Sequence, residues 1–315
     1  MTRLLRFVPE GHVVEVTCRT IQSRFLTRPS LEFEDIATGV LGRTQEKTGM
    51  VIHGYCFLSN HYHLLLSPLD SKQLARFMCL LNSKLGREIA RLYDWHDCVL
   101  GRRYSAIVVA RDEPSEAGRL KYVFGQGCKE GLIGSPREWP GASSVNALLT
   151  GEHAVGTWFD RTREYRARQR GAAFDRRAFT TRHRVVLSPL PCWRHLTPEE
   201  YRRRMEDMVS EVEVETEHLN RASNRRPLGA ARVCRVHPHD RPRETKRSPA
   251  PAFHAMTRAA REKLKEAYRF FVEAYRSAAK RLAQGDVSAA FPACCFPPPL
   301  PYARSPAGGP QLVPP

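Results

Sequence analysis

At 315 residues the chain has room for about two domains of roughly 100–200 residues each, and 50 Lys and Arg against 33 Asp and Glu leave a formal net charge of +17. So large a positive balance points to a polyanion as partner, with nucleic acid the natural one. A membrane span is excluded by the lack of any run of about 18 apolar residues, and a disulfide frame by nine scattered cysteines without a Cys-x-x-Cys pair, which read as reduced thiols of a cytoplasmic protein.

The first nine residues, Met1 to Pro9, carry charge within a short apolar stretch and do not read as a secretory leader. Residues 12–20 alternate as a strand, with Val14, Val16 and Cys18 on one face. Ser30 then offers an N-cap to a helix whose apolar side is Phe33, Ile36, Ala37, Val40 and Leu41, and Gly49 can end it. Two strands follow, 51–58 and 61–67, joined by a tight Ser59-Asn60 turn and therefore antiparallel neighbours. Side chains on a strand alternate, so His61 and His63 share a face while Tyr62 joins Leu64 and Leu66 on the other. Two imidazoles on one face beside an Asn turn form half of a metal site and suit metal or phosphate chemistry.

Asp70, with Gln73 three residues on, opens a long helix with a stripe of Leu74, Phe77, Met78, Leu81, Leu85, Ile89 and Leu92. Arg76, Lys84, Arg87 and Arg91 lie off that stripe and are available to phosphates. Residues 99–110 read as a loop bearing Arg102 and Arg103, entering a strand past Tyr104. A helix is predicted from Ser115 to about Glu130, stopped by Gly131, with Leu120, Val123, Phe124 and Cys128 as its apolar side. Tyr122, Gln126 and Lys129 fall together on another side. Gly125 and Gly127 weaken this helix by about 1 kcal/mol each relative to Ala. The order β-α-β-β-α-β, then a helix, is the split βαβ arrangement: an α+β, ferredoxin-like antiparallel sheet with two helices on one face. The free face carries His61 and His63, and the next helix can cover it and bring Tyr122 toward them.

Trp139-Pro-Gly-Ala-Ser-Ser closes this unit, giving a first domain at 1–160. An accessory DNA-binding region, basic, mainly helical and partly disordered, is expected at 161–290, with 161–184 Arg-rich and poor in apolar anchors. Within it, Thr197-Pro198-Glu199-Glu200 is a helix start. Residues 225–263 hold eleven Lys and Arg against three acids, the pattern of a nucleic-acid arm. A basic helix follows at about 257–283, and 291–315 is a proline-rich tail. Cys234, His237 and His239 lack the fourth ligand that a structural zinc site needs.

Two neutral histidines would leave a divalent ion's full charge for a phosphate, with Gln126 as a third ligand through its carbonyl oxygen. Tyr122, one helical turn before Gln126, is the candidate nucleophile, and Tyr104 is its nearest rival. The stretches His53-Gly-Tyr-Cys-Phe-Leu-Ser-Asn-His61-Tyr-His63-Leu-Leu-Leu, Gly101-Arg-Arg-Tyr-Ser-Ala-Ile-Val-Val and Leu120-Lys-Tyr122-Val-Phe-Gly-Gln126 resemble the single-tyrosine HUH transposases, in the REP-associated tyrosine transposase branch. The resemblance covers about residues 8–160. It implies a ferredoxin-like catalytic domain that binds Mg2+ or Mn2+ through His61, His63 and Gln126. It also implies that Tyr122 cuts single-stranded DNA beside a hairpin, forming a 5′-phosphotyrosine, in a monomer or a homodimer. Arg87, Arg102, Arg103, Lys121 and Lys129 are the expected DNA contacts. The branch's Asn-Pro-Val-Arg-Ala-Gly is replaced here by Gln126-Gly-Cys-Lys-Glu-Gly131. A non-catalytic hairpin-binding module and a replication-initiator or relaxase-type nickase are the alternatives.

Overall fold

Local signals set the element ends. β1 (Val14–Arg19) leads through a 3-10 turn to α1 (Leu31–Thr48), where the Ser30 hydroxyl accepts from Phe33 N at 3.1 Å and Gly49 adopts φ +66° as the stop. β2 (Val51–Phe57) and β3 (His61–Ser67) form the tight hairpin. α2 (Ser71–Leu92) starts where the Asp70 carboxylate accepts from Gln73 N at 2.7 Å, and β4 (Ser105–Val109) follows. The computed structural model describes residues 4–101, 103–171, 175–243, 251–296 and 298. Arg102 and most of the predicted proline-rich tail lie outside the described residues.

β1 sits in the sheet between β3 and β4, antiparallel to both, and β2 flanks β3. This is the ferredoxin-like α+β core. The apolar faces of α1 and α2 bury Phe33, Val40, Phe77, Met78 and Leu85 against Val14, Val16, Tyr62 and Leu64. Each such side chain contributes about 1.5–3 kcal/mol through burial. Tyr62 is packing, as its alternation required: it is wholly buried and its hydroxyl donates to Asn82 Oδ1.

Two features enlarge the predicted sheet. β7 (Phe253–His254) pairs parallel to β4, giving a five-stranded mixed sheet in the order β2-β3-β1-β4-β7. Helices also cover the second face, because Cys56, Leu58, Leu65 and Val109 make half of it apolar. α3 (Glu113–Phe124) lies there, capped by Asp112 Oδ1 accepting from Ser115 N at 2.9 Å. The single helix expected to reach Glu130 is broken at Gly125 and resumes as the short α4 (Gln126–Lys129), with α5 (Val145–Thr150) beyond it.

A hairpin spans the boundary expected at residue 160. β5 (Ala154–Phe159) pairs antiparallel with β6 (Thr180–Val185) across that point, with α6 (Arg161–Gln169) between them. In the stretch 161–184, expected to be only partly ordered, the described residues include α6 and β6. Its anchor is the hairpin rather than apolar content: β5 lies so close on α1 that a Cβ at Gly39 would come within 2.2 Å of Thr157 O. α7 (Pro198–Ala222) has the predicted capping box at Thr197 and Glu200, and buries Tyr201, Met205, Met208, Val209 and Val212 in the core that includes α3. α8 (Ala230–Arg235) follows within the basic run. α9 (Arg258–Ala283) packs Phe271 on Phe7, ring centroids 5.0 Å apart. Among the described residues no helix is long and apolar enough to cross a membrane.

Candidate active site

The polar half of the second sheet face is assembled by register. In β1, Glu15, Thr17 and Arg19 alternate with the core residues; Thr17 lies opposite His63 and Arg19 opposite His61. The two imidazole centroids are 5.0 Å apart, and both rings are nearly buried. α3 closes over them from above. Its approach depends on Gly54, where a Cβ would come within 2.7 Å of Leu120 Cδ1. The His63 ring meets the Tyr122 ring edge-on at 5.7 Å, within one chain.

Each histidine has its Nδ1 fixed. His63 Nδ1 donates to Glu15 Oε1 at 2.6 Å, and His61 Nδ1 donates to Asn60 Oδ1 at 2.6 Å. Asn60 is itself oriented, since its amide nitrogen donates to Ser23 O at 3.3 Å. Protons on Nδ1 leave the Nε2 lone pairs unspent, the tautomer that a metal-ligating histidine needs. His63 Nε2 is buried with no partner among the described residues. Burial above all, with the nearby cations Arg19 and Lys129, holds His61 well below its ordinary value, so its ring is neutral. The donor set therefore fits a divalent cation. Among the described residues no cluster of three His, Cys, Asp or Glu forms a site. Gln126, at the start of α4, is buried, and its amide nitrogen donates to Tyr122 O at 2.7 Å, which leaves its oxygen.

Glu15 is completely buried. Burial alone would raise its carboxyl; the hydrogen bond from His63 and the charge and hydrogen bonds of Arg119 outweigh it and hold the group below its ordinary value. Arg119 binds Glu15 through both Nε and a terminal nitrogen. The same guanidinium lies over the Tyr122 ring, 4.2 Å from its centroid. Lys129 Nζ donates to the Tyr122 hydroxyl at 3.3 Å and sits 4.4 Å from the ring centroid. Two cations thus face a phenol whose conjugate base is an anion.

The structure brings together His61, His63, Tyr122, Gln126 and Lys129. It does not bring the other predicted contacts to this face. Lys121 Nζ is held by Glu211 at 2.7 Å and Glu215 at 2.8 Å on α7, so its charge is already matched inside the chain. Arg87 and Arg103 are exposed beside a cavity between α2 and residues 97–104, on the far side of the sheet. Arg102 lies outside the described residues. Tyr104 lines that cavity too, under the Arg6 guanidinium at 3.6 Å, away from the histidines. Glu15, Arg119 and Asn60 were not singled out from sequence. The signal for Glu15 was its place on the polar face of a strand whose other face is all apolar; Arg119 is one turn before Tyr122 on the same helix.

No protein-family model and no curated protein matches the chain. Among solved structures, a REP-associated tyrosine transposase bound to a REP hairpin matches with TM-score 0.38 and 12% identity, over 48% of this chain and 86% of that one. A protein assigned as a transposase from Deinococcus radiodurans R1 matches with TM-score 0.29 and 16% identity, over 40% of this chain and 98% of that one. Likeness at this level leaves the chemistry to the side chains themselves.

Proposed function

We propose that the protein cuts and rejoins single-stranded DNA through a covalent tyrosine intermediate, as a transposase-type strand transferase. The observation that carries this reading is Tyr122 packed edge-on against His63, whose inner nitrogen is fixed by a buried carboxylate and whose outer nitrogen is unpartnered. The chain's charge of +17 suits the polyanionic substrate.

The Tyr122 oxygen attacks a backbone phosphorus. A bond forms between them, the bond from phosphorus to the 3′ oxygen breaks, and the 3′ hydroxyl leaves with the proton that the phenol gives up through solvent. Lys129, within hydrogen-bond distance of that oxygen, and Arg119 over the ring hold the phenol's orientation. His61, His63 and the Gln126 oxygen would hold a divalent ion such as Mg2+ or Mn2+, which supplies positive charge to a non-bridging phosphate oxygen. Because a phosphodiester is exchanged for a phosphodiester, the free 3′ hydroxyl can reverse the step, or a different one can accept the strand, without ATP.

The test is to incubate the protein with end-labelled, hairpin-flanked single-stranded DNA and Mn2+ and look for an adduct that survives detergent. Tyr122→Phe is expected to form none while retaining DNA binding, and Tyr104→Phe to form it normally. An adduct on Tyr122→Phe would show that another nucleophile is used. Binding by the wild type without any adduct would favour a non-catalytic hairpin-binding module.

A further inference from the structure

The cavity between α2 and residues 97–104 has a volume of about 640 Å3, within the usual range of small-molecule sites. Its lining combines two chemistries. Met78, Ala90, Val99, Leu100 and Phe296 make an apolar floor. Arg6, Arg87 and Arg103 stand around it, and among the described residues none of the three forms an ion pair with a carboxylate. Asp97 is the acid on the rim, and its carboxylate accepts from Cys98 N at 2.6 Å. Arg6 is the most committed of the three: half buried, stacked 3.6 Å over Tyr104, and donating to Tyr104 O at 2.9 Å. Burial pushes its guanidinium down to about 10, with Tyr104 opposing and Arg103 adding to the shift. A cation desolvated in this way, with no counter-charge, is set to receive an anion.

The cavity is also tied to the candidate active site through backbone. Gly101 N donates to Arg19 O at 2.7 Å, and Leu100 bridges Thr20. Arg19 lies opposite His61 in the β1–β3 register. The mouth and the histidine pair thus share one end of the sheet, on opposite faces, with Arg19 between them.

We propose that this cavity holds one unstacked nucleotide of the bound single-stranded DNA, its base on the apolar floor and its phosphate among Arg6, Arg87 and Arg103. A planar ring joined to an anion matches an apolar floor with Phe296 and a cationic rim, and base stacking of this kind tolerates any sequence. A strand crossing the sheet end at Arg19 would place one nucleotide at the histidines and a flanking one in the cavity. The proposal rests on the DNA reading above.

Two cysteines make the test direct. Cys79 and Cys98 line the cavity and are exposed, and each is followed against its own rate in the DNA-free protein. Full-length Tyr122→Phe protein, saturated with a mixed-sequence single-stranded 20-mer in EDTA, is treated with N-ethylmaleimide, and alkylation at each thiol is followed by mass spectrometry. Alkylation of Cys79 and Cys98 is expected to slow about tenfold, and Cys79→Trp, which fills the cavity from an exposed helix position, to weaken DNA binding about tenfold, as for loss of one stacked base. An abasic 20-mer should protect neither thiol. Bound DNA with both thiols still reactive overturns the cavity proposal and leaves the DNA reading standing. Equal protection by the abasic strand overturns insertion of a base. Thiols already unreactive in the free protein overturn the proposal because the chain would then fill its own cavity. Failure to bind DNA at all overturns both readings.

Discussion

Replacing the buried carboxylate of Glu15 separates its two tasks. Its side chain is 0% exposed and that of Arg119 only 11%, so Glu15→Gln leaves a guanidinium without its counter-charge in a closed site. Breaking one side of such a pair costs about 3–5 kcal/mol. Yet the amide oxygen can still accept from His63 Nδ1, so the tautomer survives and Mn2+ affinity should fall only about tenfold, the low end for a partner of a metal ligand. Glu15→Leu removes that acceptor as well and should lower Mn2+ affinity about 100-fold. Adding Arg119→Met to Glu15→Gln removes the stranded charge and should recover most of the stability without recovering metal affinity. Urea unfolding followed by circular dichroism and Mn2+ titration calorimetry read the two quantities separately. If Glu15→Leu bound Mn2+ like the wild type, Glu15 would not position His63; if Glu15→Gln unfolded at the wild-type urea concentration, the pair would not be closed to solvent.

Three further outcomes follow from the packing. Lys121→Met should change stability by less than about 1 kcal/mol, since Glu211 and Glu215 are 62% and 64% exposed. It should also leave the salt dependence of DNA binding unchanged, where losing a phosphate contact would lower the slope by about 1; a lowered slope in fluorescence anisotropy would return Lys121 to the DNA interface. Gly54→Ala forces Leu120 and α3 outward, at a cost of about 1–3 kcal/mol. The melting temperature should fall, and adduct formation should slow more than DNA binding, because Tyr122 rides on that helix; unchanged values of both would mean that α3 is not seated on Gly54. His53 is buried neutral between Ser67 and Ser188, and burial, opposed by its backbone hydrogen bond, lowers it from 6.5 to about 4. Its unfolded form takes up a proton at higher pH than its folded form. Stability is therefore fully present above about 6.5 and declines as pH falls toward 4, by up to about 3 kcal/mol. His53→Gln should flatten that region of the stability profile, and an unaltered profile would assign the acid sensitivity elsewhere.

Much of the first half was legible because its signals are local. Ser30, Asp70 and Thr197 cap the helices that they announce, and Val14, Val16 and Tyr62 face the side that alternation dictates. His61 and His63 share a face as alternation dictates, and Tyr122 comes edge-on to His63. What escaped depends on pairs far apart in the chain. Glu15 and Arg119 meet across 104 residues, and neither is unusual by itself. β6 is placed by pairing with β5, whose backbone meets α1 at Gly39, rather than by apolar content. Lys121 was expected at the DNA, because the two glutamates that α7 places beside it lie 90 and 94 residues further along the chain.

The short β7 has a consequence for how the protein is made. β4 would otherwise end the sheet with a row of unpaired amides and carbonyls, the kind of edge that recruits strands from other chains. The segment that covers it, Phe253 and His254, is synthesised more than 140 residues after β4. At about 5–20 residues per second, the ribosome leaves that edge open for roughly 7–30 s. Over that interval the nascent sheet is complete enough to pair and not yet closed. The C-terminal region thus acts late, as the chain's own stopper against its neighbours on a polysome.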